Sequence, residues 1–324
     1  MLKVSDVYET LYHYKSWDGL KGILSSQSLW ATNYQHLNDS SEIIHFKDYF
    51  VDMVKPYVVQ SLEKIIKKYP AVGEEVDKRG GIEKVAEKDS RLFVDASYEA
   101  VGEGIYIFSF CGPHERAQDN RNGLLSQWKG YGRDGGAALE FETKKLEDLV
   151  KKENESYLYD PLFMADVVYS DDENSVKEEL GGSLTTIASV VTELMENTIK
   201  KIQLDLSRGY HPTVFCMGRY KHYSFHEENE VRIVALPTRI SDQIVQMAKN
   251  KGETLNQEKT IEKRYGGKTP YIDLFSFDDI GLPIRRIIVG PHVDKEKRCL
   301  ELKELLKDRD IEVVCSETPF VRIF

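Results

Sequence analysis

What this chain lacks narrows its class first. Four cysteines, at positions 111, 216, 299 and 315, form no CxxC pair and no cluster in sequence, which argues against a disulfide framework or a zinc ribbon. Ten prolines and 22 glycines in 324 residues are too few for a low-complexity or collagen-like chain. No apolar run approaches the roughly 18–20 residues of a membrane span. The opening MLKVSDVYETLYHYK has no uninterrupted apolar stretch of the signal-peptide kind, so a soluble cytoplasmic protein is expected. Cations are also in deficit. With 44 Lys+Arg against 54 Asp+Glu the formal charge is −10, which disfavours broad electrostatic binding of nucleic acid.

What is present is an ordinary globular composition, 41% hydrophobic and 30% charged, enough for a real core. Thr10–Tyr14 and Leu29–Thr32 read as short strands around a helix from Trp17 to Ser25, capped by Ser16, with Leu20, Ile23 and Leu24 at helical spacing. Asn38-Asp39-Ser40 reads as a cap for the next helix. From Lys55 to Tyr98 the chain is charged and helical in period, broken at Pro70 and at Gly80-Gly81, and reads as a solvated insertion. Gly104–Cys111 (GIYIFSFC) has the length and composition of a buried strand. A short helix is expected at Leu124–Tyr131. Further strands are expected at Ala137–Phe141, Met164–Tyr169, Val231–Leu236, Tyr271–Phe277, Ile287–Val289 and Ile311–Val314. Ser175–Leu206 reads as a long helix, and Lys295–Lys307 as an amphipathic one using Leu300, Leu302, Leu305 and Leu306. With no repeat and no Pro/Gly/Ser linker, these elements predict one α+β domain over residues 1–324, with helical insertions.

Several chemical signals fail on their own geometry. Gly130-Tyr-Gly132-Arg-Asp-Gly135 matches G-x-G-x-x-G, but it follows a helix and precedes a strand, the reverse of what a pyrophosphate site requires. His36, Asp39, Glu42 and His45 are rich in ligand types. On a helix, however, His36 and His45 are about 900° apart, on opposite faces. His222 and His226 stand at i and i+4 with no third ligand, so no metal is expected. No cysteine has an activating base nearby in sequence.

The segment HYSFHEENEVRIVA, residues 222–235, carries more. Glu228 and Glu230 are two apart, which in extended backbone puts both on one face, and Arg232 on that same face is a compensating charge. A structural Glu–Arg pair at a strand edge explains the same residues.

The strings LYHYKSWDGLKGILSSQSLWATNYQHLND, FSF, SQWKGYG, GAALEF, ENEVRI, IIVGP and TPFVRIF together resemble a bacterial family, domain of unknown function 2971, over nearly the whole chain. That family is similar to abortive-infection proteins of phage defence. The chain also resembles, more distantly, the ADP-ribosyltransferase superfamily in its diphtheria-toxin and poly-ADP-ribose polymerase branch. There a His on the first strand, a Tyr within a Gly-Ile-Tyr string and a Glu opening a late strand look like His13, Tyr106 (or Ser109) and Glu230. Glu228 precedes Glu230 as in the arginine-modifying branch. The His–Gly–Thr string common in the superfamily is His13-Tyr14-Lys15-Ser16 here.

The resemblance implies a mixed, split-sheet core and an NAD-consuming toxin or defence effector. Glu230, Glu228 and His13 would be catalytic. Tyr14, Tyr106, Ser109, Trp128, Tyr131 and Arg232 would contact NAD, an aromatic of Tyr106, Trp128 or Tyr131 would stack on nicotinamide, and Arg116, Arg121, Lys129 or Arg133 would meet the pyrophosphate. It also implies a protein or nucleic-acid acceptor, an antitoxin or defence partner, and no membrane. A non-catalytic nucleotide-sensing or partner-binding module is the alternative. An RNA-processing enzyme using the basic stretch Arg116–Arg133 is a third.

Overall fold

The structure, a computed structural model, describes residues 3–37, 40–101, 104–169, 173–200, 207–252 and 254–319. The chain divides into two compact units, one made of Met1–Thr32, Ile107–Val167 and Phe225–Phe324, the other of Asn33–Tyr106 and Val168–Ser224.

Twelve strands are described, in chain order β1 (Thr10–Lys15), β2 (Leu29–Asn33), β3 (Tyr106–Cys111), β4 (Ala137–Glu142), β5 (Tyr159–Asp166), β6 (Val168–Tyr169), β7 (Tyr220–Lys221), β8 (Glu230–Pro237), β9 (Glu262–Arg264), β10 (Thr269–Leu274), β11 (Ile284–Val289) and β12 (Glu312–Cys315). All but β6 and β7 form one sheet, ordered β12-β11-β4-β1-β3-β2-β10-β9, with β8 joining at β3 and carrying β5. The β11–β12 pair is parallel, whereas β1–β4, β1–β3, β2–β10 and β5–β8 are antiparallel, so the sheet is mixed and the fold α+β. β3 pairs with β1, β2 and β8, and there the sheet branches.

Local chemistry sets the elements around β1. Ser16 caps the helix Trp17–Ser26 by accepting the Gly19 N–H (3.2 Å), and Leu20, Ile23 and Leu24 are its buried face. The Gly-rich segment between the helix Leu125–Gly130 and β4 is a tight turn, as its order predicts, with Asp134, Gly135 and Gly136 all at positive φ. A side chain at Gly136 would strike the Lys15 carbonyl, so this glycine lets the turn close on the end of β1.

Three expectations are corrected. Cys299 and Cys315 are brought together as a bonded pair, with Cα atoms 6.3 Å apart, because the helix Lys295–Leu305 returns alongside β12. That helix buries Cys299 and Leu302 and leaves Leu300 and Leu305 exposed, since its buried stripe follows the i, i+3 row through Cys299. The β10 strand stops at Leu274, where Phe275 takes a positive φ.

In the second unit the breaks fall as the sequence indicates, giving helices Ser40–Lys68, Pro70–Lys78 and Ile82–Val101. Helices Glu173–Lys200 and Ser207–Arg219 and the short β6–β7 pair complete it. The charged segment is more than a solvated insertion. Phe50, Val54, Val58, Leu62, Val72, Phe93 and Val94 are buried with Leu180, Leu184 and Ile187. Gly209 lies against the Phe93 ring, where a Cβ would collide.

Candidate functional site

Strand β1 divides the expected site residues by parity, because successive side chains leave opposite faces of a strand. Tyr12 and Tyr14 point into a core cluster with Cys111, Leu124, Trp128, Ala138 and Ile288. The Tyr14 ring meets Trp128 edge-on at 4.9 Å, and its hydroxyl accepts the Leu124 N–H at 2.9 Å. Burial pushes the Tyr14 hydroxyl far above its usual pKa, so it stays neutral. Trp128 is fully buried and donates its indole N–H to the Asn122 carbonyl at 3.1 Å. Tyr14 and Trp128 are therefore brought together, but on the face of β1 away from His13.

His13 occupies that other face. Its ring lies over Phe108 (4.4 Å, tilted) and edge-on to Phe110. Its Nδ1 is 2.9 Å from the Ser109 carbonyl oxygen, which can only accept, so Nδ1 carries the proton and Nε2 presents a lone pair. That Nε2 is buried and makes no hydrogen bond. Burial, then the nearby Lys15 charge, pushes the His13 pKa down to about 3, so the ring is neutral at physiological pH. Ser109 serves this site through its carbonyl. The register Tyr12↔Cys111 places its side chain, two residues from Cys111, on the Tyr12 face.

The glutamates part company. Glu230 opens β8, is buried, and is held by Arg232 in a two-pronged pair, Nε to Oε1 at 2.7 Å and Nη2 to Oε2 at 3.0 Å. The expectation that Arg232 shares the Glu230 face is met. The expectation that Glu228 shares it is corrected, because Glu228 ends a short 3-10 helix, Tyr223–Glu228, and Asn229 follows at φ +42°. The backbone between the two carboxylates is not extended, so the two-residue period does not apply. Glu228 lies 3.5 Å from the Tyr131 hydroxyl.

Asn229, which sequence reasoning passed over, fastens this corner. Its carbonyl accepts the Gly112 N–H at 2.6 Å, its Nδ2 donates to the Pro113 carbonyl at 3.0 Å, and its Oδ1 accepts the Tyr8 hydroxyl at 3.2 Å. The start of β8 is thus bonded to the end of β3, beside Cys111, which pairs with Tyr12 of β1. Only the tolerance of Asn for positive φ was there to be read.

Of the other expected residues, Tyr106 begins β3 and is buried. Arg116, Arg121, Lys129 and Arg133 are exposed, and Arg121 lies 3.9 Å from Glu317. His222 and His226 lie exposed in the 3-10 segment and its approach. Asp39 and the side chains of Glu42 and His45 lie outside the described residues. Among the described residues, no group of three or more His, Cys, Asp or Glu side chains is arranged to hold a metal ion, and no helix is long and apolar enough to cross a membrane.

Comparison with known proteins adds a boundary. No curated protein and no solved structure matches the chain. A model of the family described as "Protein of unknown function (DUF2971)" matches residues 127–233, a central stretch rather than nearly the whole chain, so what the chain resembles there includes Trp128, Glu228, Glu230 and Arg232 but neither His13 nor Ser109.

Proposed function

We propose that this protein binds an NAD-type dinucleotide on the His13 face of β1 and cleaves its nicotinamide–ribose bond, as an ADP-ribosyltransferase-like enzyme. The observation that carries the reading is the buried, unpartnered Nε2 of a neutral His13, an acceptor set to take a hydrogen bond from a ribose hydroxyl. The branching of the sheet at β3 supports the finer, split-sheet form of the fold.

The chemistry requires a carboxylate near the ribose. As nicotinamide leaves with the bonding electrons, positive charge develops on the sugar, as in other glycosidic cleavages. Glu230 is the carboxylate for that position. Arg232 holds both of its oxygens and so fixes the direction in which the carboxylate faces. Glu228, at the outer side of the Asn229 corner, would accept the proton of the attacking protein, nucleic acid or water. In a cell this activity would serve a toxin or a phage-defence effector.

One observation favours a second reading. A carboxylate already neutralised by a bidentate guanidinium stabilises an adjacent positive charge less, which suits a nucleotide-sensing or partner-binding module without turnover. Nicotinamide release from NAD, with and without cell lysate, separates the two. Under the first reading wild type releases nicotinamide and Glu230→Gln loses about 10²–10⁴-fold while staying folded. Wild-type rates in the folded variant would remove Glu230 from the mechanism. NAD binding by calorimetry with no release would establish the second reading.

A further inference from the structure

The Cys299–Cys315 bond joins two elements that other contacts already hold together. The helix Lys295–Leu305 carries Cys299, and Cys315 is the last residue of β12. β12 pairs in parallel with β11 through Ile287↔Val313, Ile288↔Val314 and Val289↔Cys315. The next residue, Ser316, donates its N–H to the Val289 carbonyl at 2.9 Å. From the helix, the Lys295 ammonium donates to the Ser316 carbonyl at 2.8 Å. Opening the sulfur bond therefore leaves the two cysteines, 16 residues apart in the chain, within reach of each other.

The sulfurs also meet what exchange requires. Cys315 is half-buried on the terminal strand of the sheet, whereas Cys299 is 5% exposed, so a thiol from solution reaches Cys315 first. Cys315 Sγ lies 3.6 Å from the Lys295 carbonyl oxygen, an acceptor for its S–H once the bond is open. Both oxidation states of Cys315 thus have a partner. The other two cysteines, Cys111 and Cys216, are buried and take no part in the bond, and burial pushes the Cys216 thiol up to about 12, where it is inert.

What the bond steadies lies immediately beyond it. Ser316 is fully buried, and its Oγ donates to the Asn122 carbonyl at 2.6 Å, the same oxygen that accepts the Trp128 indole N–H. The Glu317 N–H bonds to Asn122 Oδ1 at 3.0 Å, and the Thr318 N–H to Ser316 Oγ at 3.2 Å. Residues 316–318 are therefore fastened to the corner that seats Trp128 and, against it, Tyr14.

We propose that Cys299 and Cys315 form a reversible thiol–disulfide latch, exchanging at Cys315 with a small thiol of the glutathione kind, which tightens residues 316–318 on the Asn122–Trp128 corner when closed. A thiolate attacks Cys315 Sγ, the electron pair of the protein bond leaves on Cys299 Sγ, and Cys299 takes a proton from water. A second thiolate then frees Cys315, so one protein disulfide is reduced and one small disulfide forms. Closure is the reverse, with oxidised glutathione taking up the two electrons. The latch does not depend on NAD chemistry.

Equilibrating the folded chain in glutathione buffers of graded oxidation, then alkylating and weighing its peptides, tests the latch. Cys299 and Cys315 should lose their labels together across one transition, the same when approached from the reduced and the oxidised side. Cys111 and Cys216 should stay unlabelled until urea is added. In Cys299→Ser glutathione should be trapped on Cys315, and in Cys315→Ser the Cys299 thiol should stay unmodified. Amide hydrogen exchange at Ser316, Glu317 and Thr318 should quicken about tenfold or more on reduction, with β5 and β8 unchanged. A bond that excess reduced glutathione opens only in urea, or a thiol pair that oxidised glutathione never closes, overturns the proposal. Equal exchange at 316–318 in the two states overturns the action on the corner.

Discussion

The two faces of β1 are built to different standards. On one, every polar atom of Tyr14 and Trp128 has its bond, and the rings are packed against Leu124 and Ile288. On the other, two residues along the same strand, His13 keeps an unused buried acceptor, and Lys15 makes no ion pair among the described residues. Packing forces the first arrangement, because unsatisfied buried groups cost free energy. The second runs against that pressure, and departures of this kind gather at functional sites. Glu230 with Arg232 belongs with the completed face in its bonding, although it stands at the proposed site.

The contrast is broken hardest by removing a partner from a completed bond. Arg232→Met leaves the Glu230 carboxylate buried without its cation and should cost about 3–5 kcal/mol, read as a shift in the urea unfolding midpoint. If Glu230→Gln in the Arg232→Met background does not recover much of that loss, the pair is not what the residue contributes. Tyr14→Phe removes the acceptor of the Leu124 N–H and should cost about 1–3 kcal/mol in the same measurement.

The open face responds differently, through pH and through sign. The folded pKa of His13, about 3, lies below its unfolded value, so between those two pH values the unfolded chain binds more protons. Stability is complete above the unfolded pKa and is lost as pH falls toward 3, with a slope near 1.4 kcal/mol per pH unit around pH 5. His13→Phe, which keeps a ring over Phe108, should flatten that part of the profile. An unchanged profile would mean that His13 binds its proton equally well in the folded and unfolded chains. Lys15→Met should be the smallest effect and of opposite sign, a gain of about 1 kcal/mol in unfolding free energy, because it removes a charge that nothing among the described residues pairs. A loss of similar size would show Lys15 to be structural.

Much of the fold was legible because β1, β2 and β3 are short, β-rich and apolar between clear punctuation, and Ser16, Pro70 and Gly80 act locally. The helix Thr143–Ser156 escaped notice because its buried side is only Thr143, Leu146, Leu149 and Glu153, too few apolar residues for a stripe. The last of these is buried with Lys259 at 2.7 Å, the Tyr159 hydroxyl and the Phe275 N–H, none of which spacing connects. At the site, the Glu230–Arg232 pair was legible from a strand period. The turn at Asn229 was not, since one positive φ undoes that period for Glu228.

Asn229 has a kinetic consequence. It ties together Tyr8, the Gly112–Pro113 corner and the opening of β8, and its bond to Tyr8 spans 221 residues of chain. Closing so long a loop costs entropy before any contact repays it, and contacts of that span slow folding. During synthesis, β1 with His13 and Lys15 is made first and waits for a residue made far later. The arrangement of β8 beside β3 therefore needs both ends of that span, so a chain cut before β8 carries His13 without Glu230.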